Sequence, residues 1–234
     1  MGHKKLIRFE AIKNFSNVLE HPQWMKEKWK EYFKNDHPIT LELACGKGEY
    51  AVGLGKLFPE RNFIGIDIKG NRIWRGAKTA LDEGLNNVAF VRTIIDQITD
   101  HFGKDEVSEI WITFPDPQLR LSKAKKRLTH PKFLRLYQQI LVPNGFINLK
   151  TDSPDLYQFT KTVINLFQLE LLHDSDDVYS ASEISKELSI KTYYESLDIA
   201  KSNRIHYLQF RLNKNLPIEN DEILKQLISE QSIN

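Results

Sequence analysis

Glycines and a carboxylate stand at the ends of predicted β-strands in the first half of the chain. Gly46 and Gly48 follow the apolar run at residues 39 to 44 and precede a helical pattern. A turn without Cβ atoms lets the backbone approach a ligand closely. Asp67 ends the next predicted strand, about 20 residues further on, where a carboxylate can accept hydrogen bonds from both hydroxyls of a ribose. These features favour a nucleotide-type site, and because Ala51 completes the pattern G-x-G-x-x-A, an NAD-dependent dehydrogenase remains an alternative.

A second candidate site follows the fourth predicted strand, at Phe114-Pro115-Asp116-Pro117. Proline cannot continue a strand, so Asp116 stands at the carboxyl end of a central strand, in the crevice where such sheets bind ligands. The alternative is a rigid turn without a ligand. A basic cluster without acidic residues comes next, and it is either a phosphate-binding surface or a solvated loop. Its members are Arg120, Lys123, Lys125, Lys126 and Arg127.

The elements that must position these residues alternate between short apolar runs and helical patterns. Strands are predicted at 39–44, 62–68, 87–92, 108–114, 146–150, 169–172 and 204–212. Helices separate the first five strands, and a polar insertion precedes the last one. This order predicts an α/β fold with a doubly wound sheet of about seven strands. Residues 1–38 are expected to form an arm that packs on this domain, residues 39–212 the domain itself, and residues 213–234 a polar tail with a helix around 221–228.

Composition narrows the class of protein. The net charge of +2 over 234 residues neither demands nor excludes an acidic partner. Cys45 is the single cysteine, which rules out an intramolecular disulfide and fits a reducing cytoplasm. We interpret it as a small packing residue. No apolar run approaches the length of a membrane span, so a cytoplasmic protein is predicted. The seven histidines show no metal-ligand spacing, and we expect no metal site.

Six motifs, in order and spacing, give the sequence a resemblance to a known family. They are LELACGKGE, FIGIDI, FPDP, KRLTHPKFL, GFINLKTD and TYYE. The chain resembles the bacterial tRNA (guanine-N7)-methyltransferases from roughly residue 35 to residue 212. The resemblance implies a mostly parallel, Rossmann-like methyltransferase sheet whose last strand is antiparallel. It also implies that S-adenosylmethionine is the cofactor and that N7 of a guanosine in tRNA, in the variable loop, is the methyl acceptor.

The resemblance further implies a role for individual residues. Asp116 is implied as the catalytic residue. The cofactor is expected to contact Glu42, Gly46, Gly48, Asp67, Asp96 and Asp116. The RNA substrate is expected to contact Arg120, Asp152, Thr192, Tyr193, Tyr194 and Glu195, and its backbone to contact residues 122–127, among them Lys123, Lys125, Lys126 and Arg127. The chain departs from the family after FPDP, where it reads Gln118-Leu119-Arg120-Leu121-Ser122 in place of the usual tryptophan, proline, lysines and histidine.

The residue types suit methyl transfer to a ring nitrogen. Guanine N7 carries a lone pair and no proton, so its attack on a sulfonium methyl needs no general base. A carboxylate such as Asp116 can hold the base and stabilise the positive charge that arises on the purine. Another S-adenosylmethionine-dependent RNA methyltransferase is the alternative enzyme. A dehydrogenase has no use for FPDP followed by basic residues, and an RNA-binding module without catalysis has no use for Glu42, Asp67 and Asp96 together.

Overall fold

A single eight-stranded sheet forms the centre of the protein. The computed structural model describes residues 3–197, 201 and 203–230. The strands are β1 (Val18–Glu20), β2 (Ile39–Leu43), β3 (Asn62–Asp67), β4 (Val88–Arg92), β5 (Val107–Thr113), β6 (Leu141–Thr151), β7 (Glu170–Ser175) and β8 (His206–Arg211). They are arranged in the order β1-β4-β3-β2-β5-β6-β8-β7. Strands β1 to β6 are parallel to one another, whereas β8 is antiparallel to both β6 and β7.

Helices cover both faces of this sheet. They are α1 (His3–Ala11), α2 (Trp29–Phe33), α3 (Glu49–Leu57), α4 (Gly70–Asp82), α5 (Ile98–His101), α6 (Pro131–Tyr137), α7 (Pro154–Leu166) and α8 (Asn220–Glu230). Apolar side chains of α2, α5, α6, α7 and α8 pack on one face, and those of α3 and α4 pack on the other. The predicted doubly wound α/β fold with an antiparallel last strand is therefore confirmed.

The strand order reverses between β2 and β5. These strands are hydrogen-bonded neighbours, with Leu43 opposite Ile112, but the chain proceeds from β2 towards one edge of the sheet and from β5 towards the other. The two loops that leave their carboxyl ends therefore diverge and open a crevice. Alternate residues of β2 serve the two faces: Leu41 and Leu43 pack in the core beneath α6 and α7, which turns Glu42 towards the α3 side.

The eighth strand comes from the amino-terminal segment. The aromatic residues of this segment predict an amphipathic helix, but the structure contains short helices and the edge strand β1, in which Val18 pairs with Phe90 of β4. Met25, Trp29 and Phe33 join the main core. Three residues of half-buried strand carry little local signal, because their pairing with β4 is a tertiary contact.

Candidate functional site

A cavity of about 740 Å³ opens at the carboxyl ends of β2, β3, β5 and β6. Its volume lies within the range that small-molecule sites occupy. Several residues expected at the site from sequence line it together: Glu42, Gly46, Asp67, Asp116, Asp152, Thr192 and Tyr194. They come from five separate segments of the chain. The fold therefore brings most of the predicted cofactor residues and part of the predicted substrate residues into one crevice.

The glycine turn forms one wall of the cavity. Gly46 and Gly48 have φ angles of 54° and 68°, in the left-handed region that favours glycine. A Cβ atom at Gly48 would lie 2.3 Å from the Phe90 ring, so no larger residue fits there. The Asp67 carboxylate fixes the turn, because Oδ2 accepts a hydrogen bond from Gly46 N at 3.0 Å and Oδ1 accepts one from Lys69 N at 2.8 Å. Asp67 thus links the ends of β2 and β3.

Glu42 is a buried carboxylate between β2 and β5. Its Oε2 accepts a hydrogen bond from Ala51 N at 2.9 Å, in the first turn of α3, and its Oε1 accepts one from Thr113 Oγ1 at 3.1 Å. Burial raises the pKa of Glu42 to about 8, although these two hydrogen bonds oppose the shift. Such a group is ready to receive a positively charged ligand, whose charge would favour the carboxylate form.

Strained backbone marks the ends of both central strands. Ala44, just after β2, has a φ angle of 53°, and Phe114, just after β5, has a φ angle of 46°. L-residues adopt this conformation at a cost, and such strain is concentrated at functional sites. Beyond Phe114 the exposed Asp116 lies at the cavity, where its Oδ1 accepts a hydrogen bond from Gln118 N at 3.0 Å. The turn thereby holds one oxygen of the carboxylate in place.

The basic cluster after this turn divides into two parts. Arg127 is buried, with 5% of its surface exposed, and its guanidinium donates hydrogen bonds to the main-chain oxygens of Pro117, Gln118 and Leu119. It also lies over the Phe159 ring at 4.4 Å. Because Arg127 is buried and its Nε and Nη2 bond these main-chain oxygens, the structure gives Arg127 a role in bracing the turn, whereas its expected contact with RNA stays a prediction. The other four members are exposed and lie beyond the cavity wall: Arg120, Lys123, Lys125 and Lys126.

Three further expectations meet a different arrangement in the structure. Asp96 is exposed, pairs with Lys132 and is not among the residues that line the cavity; it follows β4, which β3 separates from β2. Glu195 pairs with the buried Lys150 and accepts a hydrogen bond from Tyr179. Tyr193 is exposed and does not line the cavity. The Lys47 ammonium lies 3.2 Å from the centroid of the Tyr193 ring.

Sequence reasoning missed other residues of the site. Lys69 and Arg72, on the β3–α4 loop and the first turn of α4, line the cavity and add positive charge to a lining that also contains acidic residues. Their position directly after Asp67 was the available signal. Cys45 also lines the cavity, but burial and the charges of Glu42 and Asp67 raise the pKa of its thiol. The thiol therefore stays protonated, which supports the interpretation of Cys45 as a packing residue.

Within residues 3–197, 201 and 203–230, no group of three or more His, Cys, Asp or Glu side chains is placed to hold a metal ion. Over the same residues, no helix combines the length and the apolar character that crossing a membrane requires.

The sequence is similar to a family of enzymes and to several curated relatives. A family model described as "Putative methyltransferase" matches residues 36–208. The tRNA (guanine-N(7)-)-methyltransferase of Bacteroides thetaiotaomicron is 44% identical over 243 residues, covering 100% of this chain and 96% of the relative. The enzyme of the same name from Porphyromonas gingivalis is 51% identical over 192 residues, covering 81% of this chain and 78% of the relative.

Solved structures share the fold. The 16S rRNA methyltransferase KamB superimposes with a TM-score of 0.60 at 12% identity, covering 79% of this chain and 92% of that one. A 30S ribosomal A1408 methyltransferase from an uncultured bacterium gives a TM-score of 0.53 at 15% identity, with the same coverage. At such identities the likeness concerns the arrangement of strands and helices alone.

Proposed function

The chain belongs to the tRNA (guanine-N7)-methyltransferase family, and from this premise we propose how its cavity performs methyl transfer. The reaction moves the methyl group of S-adenosylmethionine to N7 of a guanosine in tRNA. Membership of this family sets aside the dehydrogenase and the non-catalytic RNA-binding module. The observation that carries the proposal is the convergence of Glu42, Asp67 and Asp116 on one cavity at the β2/β5 crevice.

The residues present fit S-adenosylmethionine. Asp67 offers carboxylate oxygens to ribose hydroxyls beside a turn in which Gly46 and Gly48 have left-handed φ angles and a Cβ at Gly48 would clash with Phe90. Glu42 supplies a negative charge for the positively charged part of the cofactor, and the raised pKa of Glu42 would fall when that charge arrives. We propose that Glu42, Gly46 and Asp67 hold the cofactor, while Gly48, which does not line the cavity, lets the turn pass close to the Phe90 ring. Asp96 is left out of this set, since it lies outside the cavity.

The transfer needs little from the protein beyond positioning and charge. When bound, S-adenosylmethionine supplies an electrophilic methyl group on a positively charged sulfur. The chain needs no base, because guanine N7 has a free lone pair. We propose that Asp116 holds the base in line with the methyl group and stabilises the positive charge that develops on the purine. The Gln118 N–H fixes Oδ1 of this carboxylate, which limits its reorganisation during the reaction.

The RNA is proposed to approach from the side of β6. Asp152, which follows β6, lines the cavity together with Thr192 and Tyr194. The Tyr194 ring lies beside Gly46, and such a ring can stack on a base turned out of a folded RNA. The exposed cluster of Arg120, Lys123, Lys125 and Lys126 follows the Asp116 turn and suits the phosphates of the flanking nucleotides. We take a guanosine of the variable loop as the acceptor and the cytoplasm as the place of action.

Transfer of a labelled methyl group to unmodified transfer RNA tests this function. The RNA is digested after the reaction, and mass spectrometry identifies the methylated nucleoside and its position. The proposal expects N7-methylguanosine at one position of the variable loop. Methylation of an exocyclic amine or of an adenine would overturn it, because the proposed acceptor is the lone pair of guanine N7, from which no proton has to be removed.

A further inference from the structure

Lys150, near the carboxyl end of β6, is completely buried. Its ammonium donates three hydrogen bonds, to Leu188 O at 2.9 Å, Ile190 O at 3.0 Å and Glu195 Oε2 at 3.1 Å. All three acceptors belong to the segment 188–195, which we call the 188–195 loop. A lysine ammonium has three donors, so this loop satisfies all of them.

Aromatic rings surround the buried ammonium of Lys150, so its positive charge depends on the carboxylate beside it. The rings of Tyr50, Phe114 and Tyr179 surround Lys150 Nζ at 5.5 to 5.7 Å. Burial lowers the pKa of Lys150, and the Glu195 carboxylate opposes that shift. A buried charge needs such a partner, because removing one member leaves the other charge uncompensated. The loop therefore has one strongly preferred position against β6.

Glu195 completes the attachment. Besides Lys150, its carboxylate accepts hydrogen bonds from the Tyr179 hydroxyl and from Thr192 N, the latter at 3.3 Å. Glu195 N donates in return to Thr192 Oγ1 at 3.1 Å. These bonds define the conformation of the four residues 192–195, two of which, Thr192 and Tyr194, line the cavity. Tyr194 also packs against Gly46 of the glycine turn.

We infer that Lys150 is a positioning residue for the RNA side of the active site. Its ammonium anchors the 188–195 loop to β6, so that Thr192 and Tyr194 face the cavity beside Asp152, two residues after Lys150. Glu195 acts as the anchor's counter-charge instead of contacting the RNA itself. The inference rests on the proposed function for the identity of the substrate, but the attachment of the loop is a property of the fold.

Kinetics of Lys150→Met test the inference. Because a small misplacement of a substrate-holding group is costly, we expect kcat/KM for tRNA to fall about tenfold to a hundredfold. Binding of S-adenosylmethionine, measured by calorimetry, should be retained, since Glu42 and Asp67 are held by β2 and β3. In a Tyr194→Ala background the same substitution should cost much less, because the ring that Lys150 positions is gone. An equal loss in both backgrounds would overturn the inference.

Trypsin cleavage tests the anchor without any enzymatic activity. Lys186 and Lys191 are exposed and flank the anchored carbonyl groups, so cleavage after them should accelerate in Lys150→Met. Arg61→Met is the matched control, because it removes the cation from Glu109, another buried carboxylate, at the amino end of the sheet. The control should lose stability without faster cleavage at Lys186 or Lys191. The same cleavage pattern in both variants would reduce Lys150 to a core residue.

Two further experiments distinguish a failure of this inference from a variant that does not fold and from a failure of the proposed function. If Lys150→Met does not fold, Glu195→Gln weakens the same anchor and should raise loop cleavage and lower kcat/KM for tRNA by a smaller factor. Unchanged cleavage and unchanged kinetics in Glu195→Gln would overturn the inference. If the wild-type enzyme methylates a position other than guanine N7, the proposed function fails, whereas the trypsin result still decides whether Lys150 anchors the loop.

Discussion

Asp116 is the exposed residue to which we assign the stabilisation of charge during methyl transfer. Its carboxylate is held by one main-chain N–H in a turn bounded by two prolines. We expect Asp116→Asn, which keeps the shape and removes the charge, to lower kcat about a hundredfold, the scale of losing one preorganised electrostatic partner. Single-turnover methyl transfer at saturating tRNA and cofactor measures this. A lower melting temperature with normal turnover would instead identify Asp116 as part of a structural turn.

The buried carboxyl group of Glu42 makes the stability of the protein depend on pH. Its pKa is about 8 in the folded protein against an ordinary value of 4.5, so the folded state keeps the proton to higher pH than the unfolded state. The contribution of Glu42 to the free energy of unfolding is therefore fully present below pH 4.5 and declines as the pH rises towards 8. Glu42→Gln removes this decline, and its melting temperature should gain on the wild type between pH 5 and pH 8.

Thermal melts without cofactor measure the Glu42 effect, with Glu183→Gln as the control for an exposed carboxylate outside the cavity. A constant difference between Glu42→Gln and wild type across this range would mean that Glu42 is ionised throughout.

Among the elements, the turn after β5 depends on Arg127. The guanidinium bonds three consecutive carbonyl groups, those of Pro117, Gln118 and Leu119, directly behind Asp116. Arg127→Met should therefore release the turn and lower kcat about tenfold through misplacement of the Asp116 carboxylate. Steady-state kinetics and thermal melts should both change.

Arg135 offers a matched comparison for this variant. It bonds the main-chain oxygens of Leu216 and Pro217 and pairs with Asp221, far along the chain from the Asp116 turn. Arg135→Met should lower the melting temperature while leaving kcat as it is. Equal effects of the two substitutions on kcat would show that Arg127 acts only through global stability.

Strands and helices whose signals lie within their own residues can be predicted from the sequence. The β-branched run of β3 was predicted at 62–68 and is observed at Asn62–Asp67, and Ser153 with Pro154 opens α7 as its capping pattern indicates. The anchor between Lys150 and Glu195 could not be predicted, because the two residues lie 45 positions apart and a lysine in a strand gives no sign of burial. Gly46, Gly48 and Asp67 can be predicted from the sequence because their roles depend on one local turn.

The net charge of the whole molecule is only +2, but the exposed residues Lys123, Lys125 and Lys126 form a basic surface beside the cavity. We expect Lys123, Lys125 and Lys126 changed together to Ala to raise KM for tRNA and to reduce the slope of log KM against log salt by about 2, as counterion release predicts. Assays at several salt concentrations measure the slope. Cofactor affinity should not change.

The matched control removes three exposed lysines from the other end of the sheet: Lys26, Lys28 and Lys104. Glu27 packs against Gly103 there, ahead of the first residue of β5. If this variant flattens the salt dependence as much as the first, net charge and not the surface beside the cavity governs the binding of tRNA.

The position of β8 has a consequence for synthesis on the ribosome. Among the described strands, β7 pairs with β8 alone and β6 has β8 as its second neighbour, so both strands expose unpaired edges until residues 206–211 have emerged. Unpaired edges are prone to pair with other chains. The sheet therefore cannot be completed before β8 has been synthesised, and a stalled chain ending before β8 is expected to be a target for chaperones or proteases instead of a partly active enzyme.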